Sequence, residues 1–273
     1  SEYYSNSVKI KYLQPSFKKY QIYVKSTIVD YDKVFLNRVK NDYQDISDKP
    51  VIEAQSIGNI LKFNTFIKKS KNTLVISSGT WHINKPIIIP KGYKLIIEPN
   101  TKLFFSKDSY IVTYESILAK SSKDNPIIMK PIDDYWQGIM VINASDTSYF
   151  NNVHIFNVKG LKNERWGLTG SIVFYYSDIN ISNSIISNVI SEDALNIIHS
   201  KFILNNIWVN NTDSDAFDSD YSTGKVINSK FNDIGQLGGG DAVDFSGSEV
   251  LLEKILFKNI NDKAISAGEN SII

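Results

Sequence analysis

No cysteine occurs among the 273 residues. That excludes disulfides, thiolate catalysis and Cys-based metal sites. No apolar run approaches the length a membrane-crossing helix needs, roughly 18 residues or more. The sequence opens on Ser1 with no charged-then-apolar leader. Gly238-Gly239-Gly240 has no Lys-Ser/Thr after it, which removes a phosphate loop from consideration. Arginine is confined to Arg38 and Arg165, and histidine to His82, His154 and His199. His82 and His154 have no partner at a ligand spacing. The C-terminal half also lacks long stretches with a 3.6-residue apolar period, so helices are not its building block.

What is present is repetition. Four phrases recur in order: Asp193-Ala-Leu-Asn196, Asp215-Ala-Phe-Asp218, Asp241-Ala-Val-Asp244 and Asp262-Lys-Ala-Ile-Ser266. Their first Asp recurs at spacings of 22, 26 and 21 residues. A period of this size marks stacked repeats. A second phrase lies upstream of each, starting at 150, 181, 203, 226 and 252, with Val226–Ile234 its clearest copy. These runs are short, β-branched and punctuated by Asn, Asp, Gly and Ser, the signature of strands and turns. Such strands cannot bury a face alone, so successive coils of two to three strands must stack. The expected fold is all-β: a right-handed parallel β-helix solenoid over residues 73–273, preceded by a small mixed α/β region over residues 1–72. Helices are expected at Ile28–Tyr43 and Ile57–Lys68. Asn152, Asn183, Asn205 and Asn228 are expected to share one column, either as a ladder of amides or because Asn tolerates a left-handed turn. The chain stops just after a repeat phrase, at Ser271-Ile-Ile273. Because solenoids need capped ends, a solenoid truncated at its C-terminal end is expected.

Charge divides unevenly. Residues 1–72 hold 13 Lys/Arg against 7 Asp/Glu, a net +6, and residues 73–273 hold 17 against 22, a net −5. A basic, Tyr-rich segment is compatible with nucleic acid or an acidic polymer. The plainer reading is a solvated face, so nucleic acid is not expected as a partner.

The carboxylates carry the only candidate chemistry. Side chains alternate across a strand. Phe217 and Ser219 therefore share one face and Asp218 and Asp220 the other; Val243 and Phe245 oppose Asp244 and Ser246. With the apolar faces inward, Asp218, Asp220 and Asp244 face outward, and Asn196 and Ser266 extend their column. Coils about 4.8 Å apart would stack Asp218 on Asp244. Like charges so close raise one pKa and make an acid/base pair, near the spacing of a retaining glycosidase. A Ca²⁺ ion would relieve the same repulsion. Asp218, Asp220 and Asp244 are thus the candidate catalytic residues. Asp215, Asp241 and His199 are candidate ligand-binding residues, although Asp at a turn more often accepts backbone N–H groups. His199, two positions after Ile197, is expected to face the same way as that apolar residue. No metal ligand set can be named.

The opening Ile-Pro-x-Gly-x-x-Leu-x-Ile-x-Pro of residues 89–99, the Asn125-Pro-Ile turn and the Trp136-Gln-Gly-Ile strand resemble the first coils of secreted bacterial members of the pectate-lyase-like superfamily. The resemblance implies a right-handed β-helix, a secreted or cell-surface location, and a polysaccharide or cell-surface glycan as partner. It leaves activity open, since that fold hosts lyases, hydrolases, epimerases and non-catalytic adhesins. A lyase would need an Arg or Lys base beside a cation site, for which Lys201, Lys225 and Lys263 are the remaining residues. Asn211–Asp218 resembles the Asn-Thr-Asp-Ala-Phe-Asp phrase of polygalacturonase-type glycosidases. Gly240 replaces one Asp of that family's next motif, and Lys263 stands near the place of its His. Two expectations follow. The first is a secreted or surface module that binds or scaffolds polysaccharide through a stacked, Asp-rich face. The alternative is a polysaccharide-active hydrolase, lyase or epimerase using the same cluster.

Overall fold

The structure, a computed structural model, describes residues 54–161 and 169–273. The helix expected over Ile28–Tyr43, and most of the basic N-terminal region, lie outside the described residues. Among the described residues the chain winds as a parallel β-solenoid of about eight coils, with one strand per coil in each of three sheets. The upstream phrase of each repeat turns a corner: Thr223–Ile227 lies in one sheet and Lys230–Ile234 in the next. The Asp phrase supplies the third sheet. Its strands run Ile87–Ile89, Ile111–Thr113, Ile139–Ile142, Gly170–Tyr175, Asp193–Ile198, Asp215–Asp220, Asp244–Ser246 and Ser266–Gly268. We call this the Asp sheet.

Alternation and register together build the interior. Ile87, Ile111, Ile139, Ile172, Leu195 and Phe217 pair coil to coil in one inward column, and all are buried. Val243 continues the column and is buried. Ile265, the expected next member, is 44% exposed, because it lies in the last coil with a neighbour on one side only. Aromatic rings fill the wider places: Phe217 meets Phe202 and Phe245 edge-on, with centroids 5.2 and 5.9 Å apart.

Corners are held by ladders. The Asn column is Asn152, Asn183, Asn206 and Asn228, each at φ between 50° and 55°. Asn205 is the last residue of its strand, paired with Ser182 and Ile227, so the column expected through Asn205 is off by one residue there. Asn183 Nδ2 donates to Asn151 Oδ1 (2.9 Å), and Asn206 Nδ2 to Asn183 Oδ1 (2.8 Å). Both explanations for the asparagines therefore hold at once: left-handed backbone and an amide ladder. A second such column runs Asn157, Asn188, Asn211, Asp233 and Asn259. Inside the turns, the N–H groups of Ser177, Ser200 and Ser222 donate to the Oγ atoms of Ser200, Ser222 and Ser248.

At the other end, the expected helix of Ile57–Lys68 is shorter. It spans Ile57–Phe63, ends at Asn64, and gives way to a strand at Ile67–Ser70 that pairs antiparallel with Thr73–Ile76. Ser56 caps it by accepting the Asn59 N–H, and Ile60 is buried against the first coil. Gln55 donates through its side chain to Pro86 O and accepts from the Ile88 N–H. This closes the otherwise open edge of the Asp sheet's first strand.

The Trp136-Gln-Gly-Ile phrase has a local cause. The Trp136 indole stacks on Phe105 at 3.9 Å between centroids, and its N–H donates to Phe156 O at 3.0 Å. Gly138 sits at φ +93°, where a Cβ would lie 2.0 Å from Ser171 O. Gly138→Ala should therefore lose about 3–5 kcal/mol, combining backbone strain with overpacking. A fall in denaturant midpoint of that size checks it; an unchanged midpoint would mean that this corner is not close-packed.

Candidate functional site: an acidic trough beside an aromatic ladder

The outward face of the Asp sheet changes character along the solenoid. Its central column runs Ile88, Val112, Met140, Val173, Asn196, Asp218, Asp244 and Ser266, in register throughout. The first four are apolar and buried, part of a second small cluster with Ile142. The later members are polar. The outward placement of Asp218, Asp220 and Asp244 follows the strand alternation, and Asp218 pairs with Asp244 as the repeat implied. Asp220 pairs with Ser246 one column over.

Asn196 is 1% exposed. Its Nδ2 donates to Asp218 Oδ2 at 2.8 Å, and its Oδ1 has no hydrogen-bond partner. Burial pushes the Asp218 carboxyl up to about 8, and the charges of Asp193, Asp220, Asp244 and Asp215 add to the shift. Burial is thus the larger cause, where stacked charge alone was expected. Burial likewise pushes Asp193 up to about 7, against a hydrogen bond from Thr169. Burial also raises Asp220, and it raises Asp215 against the hydrogen bond that its side chain accepts from the Asp241 N–H.

Asp215 is the first residue of its strand and Asp241 stands at the turn before the next, and both hold neighbouring coils together. Asp215 Oδ1 accepts the Asp241 N–H at 2.7 Å, and Asp241 Oδ1 accepts the Lys263 N–H at 2.8 Å. Lys263 Nζ lies 2.5 Å from Asp262 and 3.4 Å from Asp241. Beside this end of the strands is a cavity of about 470 Å³, lined in part by Leu161, Thr169, Glu192, Ser214 and Leu237.

The other end of the same strands carries a feature that strand alternation missed. His199 does not follow Ile197 inward. The strand ends at Ile198, and His199 turns to φ +49°, with its ring exposed. It stacks between Tyr176 (4.6 Å, 22°) and Tyr221 (5.0 Å, 14°). These tyrosines, at φ 46° and 49°, are 46% and 55% exposed. Tyr221 OH donates to Glu269. Gly247 occupies the next corner at φ +60°, where a Cβ would be 2.7 Å from the Tyr221 ring. Bulky residues at positive φ are rare, and Asn fills most of the equivalent corners of the other two sheets, with Asp233 and Lys254 at two of them. The coil-length spacing of Tyr176, His199 and Tyr221 was the available signal.

The acidic strip thus has the cavity at one end of its strands and a ridge of stacked ring edges at the other; we call this strip and its two borders the trough. A six-residue strand such as Asp215–Asp220 spans roughly 16 Å between the two sides. Among the described residues, no group of three or more His, Asp or Glu is disposed to hold a metal ion, and no helix is long and apolar enough to cross a membrane. No family model, curated protein or solved structure matches the chain.

Proposed function

We propose that this solenoid is a secreted or cell-surface module that binds polysaccharide in the trough, and that its winding is right-handed as in the pectate-lyase-like superfamily. Right-handed crossovers are the rule for parallel strands. The observation that carries the reading is the Tyr176–His199–Tyr221 ladder. Three bulky rings are held exposed in a backbone conformation that costs roughly 1–3 kcal/mol per residue where strained, beside a floor of hydrogen-bonding groups. An amphipathic surface of this kind suits a sugar chain, whose rings have apolar C–H faces and polar rims. The ladder and the acidic column both run along the solenoid axis, so an extended polymer would meet an aromatic ring and a polar side chain at successive coils.

The corners themselves suggest the test. Asn is at home at φ near +50° in the other two corner columns, so Tyr176→Asn and Tyr221→Asn should keep the fold. A glycan array should show wild-type binding, and the double Asn variant should lose at least about tenfold in affinity, or ~1.4 kcal/mol, with an unchanged or higher melting temperature. Binding that survives the double variant would remove the ladder from the site.

A second reading is favoured by Asp218. A carboxyl held protonated near neutral pH is poised as a general acid, with Asp244 one coil away or Asp220 two residues along as the second carboxyl group of a pair. Release of reducing ends, or of unsaturated products, that disappears in Asp218→Asn and Asp244→Asn would support catalysis. Calcium remains a proposed ligand of the same carboxylates. A calcium-induced rise in melting temperature, absent from the Asp218→Asn/Asp244→Asn variant, is its signature.

A further inference from the structure

We infer that a second face of the solenoid docks single-stranded nucleic acid. It is the outward face of the sheet that contains Lys230–Ile234, a different sheet from the one that carries the trough. The basic N-terminal segment gives no reason to expect such a partner; this face does, from other residues.

Alternation sorts this sheet as it sorts the Asp sheet. Leu103, Met129, Ile155, Ile186, Val209 and Phe231 pair coil to coil and are buried. Their neighbours along each strand face outward. On one side a column runs through Lys102, Ile128, His154, Ile185, Trp208 and Lys230. On the other, His82, Phe104 and Lys130 open a column that ends on Asn210, Asn232 and Lys258.

The charge of this face is the reverse of the trough's. Its eight strands hold Lys102, Lys130, Lys230 and Lys258, all exposed, against the single acid Asp233. Asp233 is a corner residue at φ +56° and accepts hydrogen bonds from the Asn232 and Asn259 amides. Asp133 and Asp134 lie past a strand end, on the turn after Pro131. Fixed cations with no free carboxylate between them call for an anionic partner. Lys102 and Lys258 are six coil steps apart, about 29 Å at 4.8 Å each. One partner that meets both is therefore an extended chain.

Rings lie among the cations. Phe104 has His82 at 5.5 Å between centroids and Lys130 Nζ at 5.0 Å from its own. Phe156 has His154 beside it at 6.4 Å, and Trp208 is exposed. A cavity of about 490 Å³ opens against Ile128, Lys130 and Phe156, within the size range of ligand pockets. Cations interleaved with rings on one surface suit a single strand, whose phosphates follow the cations while its bases stack on the rings. Phe offers a ring face but no hydrogen bond, which fits a base better than the hydroxyl rim of a sugar. Phe104 and Phe156 are half-buried, so they lie too low in the sheet to enter a lipid layer.

The experiment is fluorescence anisotropy of labelled dT12 with the full chain over a series of salt concentrations. The logarithm of the binding constant should fall against that of salt with a slope of about −3, four lysines contributing about −0.7 each. An abasic dodecamer of equal charge should bind at least tenfold more weakly. Lys102→Gln/Lys230→Gln should halve the slope. Phe156→Leu/Trp208→Leu should lose at least tenfold in affinity with the slope unchanged. Lys68→Gln/Lys120→Gln, two exposed lysines of another sheet, should change neither. Thermal melts of each variant separate lost binding from lost folding. The imidazole resonances of His82 and His154 should move on addition of dT12 while those of His199 stay. Equal binding of the abasic chain overturns base stacking in favour of bare charge attraction. A galacturonate dodecamer bound as tightly as dT12 overturns the inference in favour of an acidic glycan. Phosphatidylglycerol vesicles bound without dT12 overturn it in favour of a membrane surface. Salt-sensitive self-association without dT12 binding overturns it in favour of a second copy of the chain. If dT12 does not bind at all the inference falls, and the glycan reading, which uses none of these residues, still stands.

Discussion

Phe217→Ala should destabilise the solenoid by about 3–5 kcal/mol, the cost of deleting a large buried aromatic side chain. Phe217 is fully buried, pairs with Leu195 in the interior column, and contacts Phe202 and Phe245 edge-on. Because each coil rests only on its neighbours, a cavity there loosens the coils above and below as well. Asp218 is the next residue on the same strand but points the other way. Asp218→Ala should cost far less, and the comparison by denaturant midpoint isolates the inside/outside assignment from any general sensitivity of the strand. Equal losses at the two positions would show that the strand is turned over.

Asp218→Asn should stabilise the protein at pH 8 by about 1–3 kcal/mol and leave it unchanged near pH 4. The folded-state pKa of Asp218 is pushed up to about 8, mainly by burial, against an unfolded value near 4. Between these values the folded chain keeps a proton that the unfolded chain has released. Stability is therefore full below about pH 4 and declines as pH rises toward 8. Asn is the uncharged isostere and removes that decline. The hydrogen bond from Asn196 survives, since the Asn side chain keeps an oxygen in the same place. Asp193, raised to about 7 by burial, adds to the slope. Melting curves from pH 4 to 9 on wild type and variant should diverge steadily with pH. Parallel curves would mean that Asp218 is ionised and solvated in the folded state.

Much of this was legible because a solenoid writes its geometry as a period. The recurrence of the Asp phrase fixes which strands stack, and period-two alternation separates Phe217 from Asp218 and Val243 from Asp244. Corners were less legible, because alternation stops where a strand stops. Asn205 and Asn206 are adjacent identical residues, and only the pairing of Asn205 with Ser182 shows which one turns the corner. Alternation carried past Ile198 makes His199 a strand residue, whereas it is the corner itself, and Tyr176 and Tyr221 line up as a ladder only once position 199 is seen at positive φ. Ile57–Lys68 carries an apolar pattern that suits a helix, yet Asn64 ends it, and Ile67 is drawn into pairing with Ile76. Tertiary pairing outweighs local propensity there. The stacked Asp phrases give the sign of the Asp218 shift, whereas its leading cause, burial, is a property of the stacked coils rather than of the phrase.

The most direct measurement of the central claim uses the three histidines as reporters. His199 lies on the ladder at the edge of the trough, whereas His82 and His154 lie on strands of a different sheet. Their imidazole resonances can be followed while glycan oligomers are titrated into the full chain. A saturable shift of the His199 signals, with those of His82 and His154 unmoved, is the predicted result. A shift confined to His82 or His154 while His199 stays still would place the ligand on another face and contradict the account.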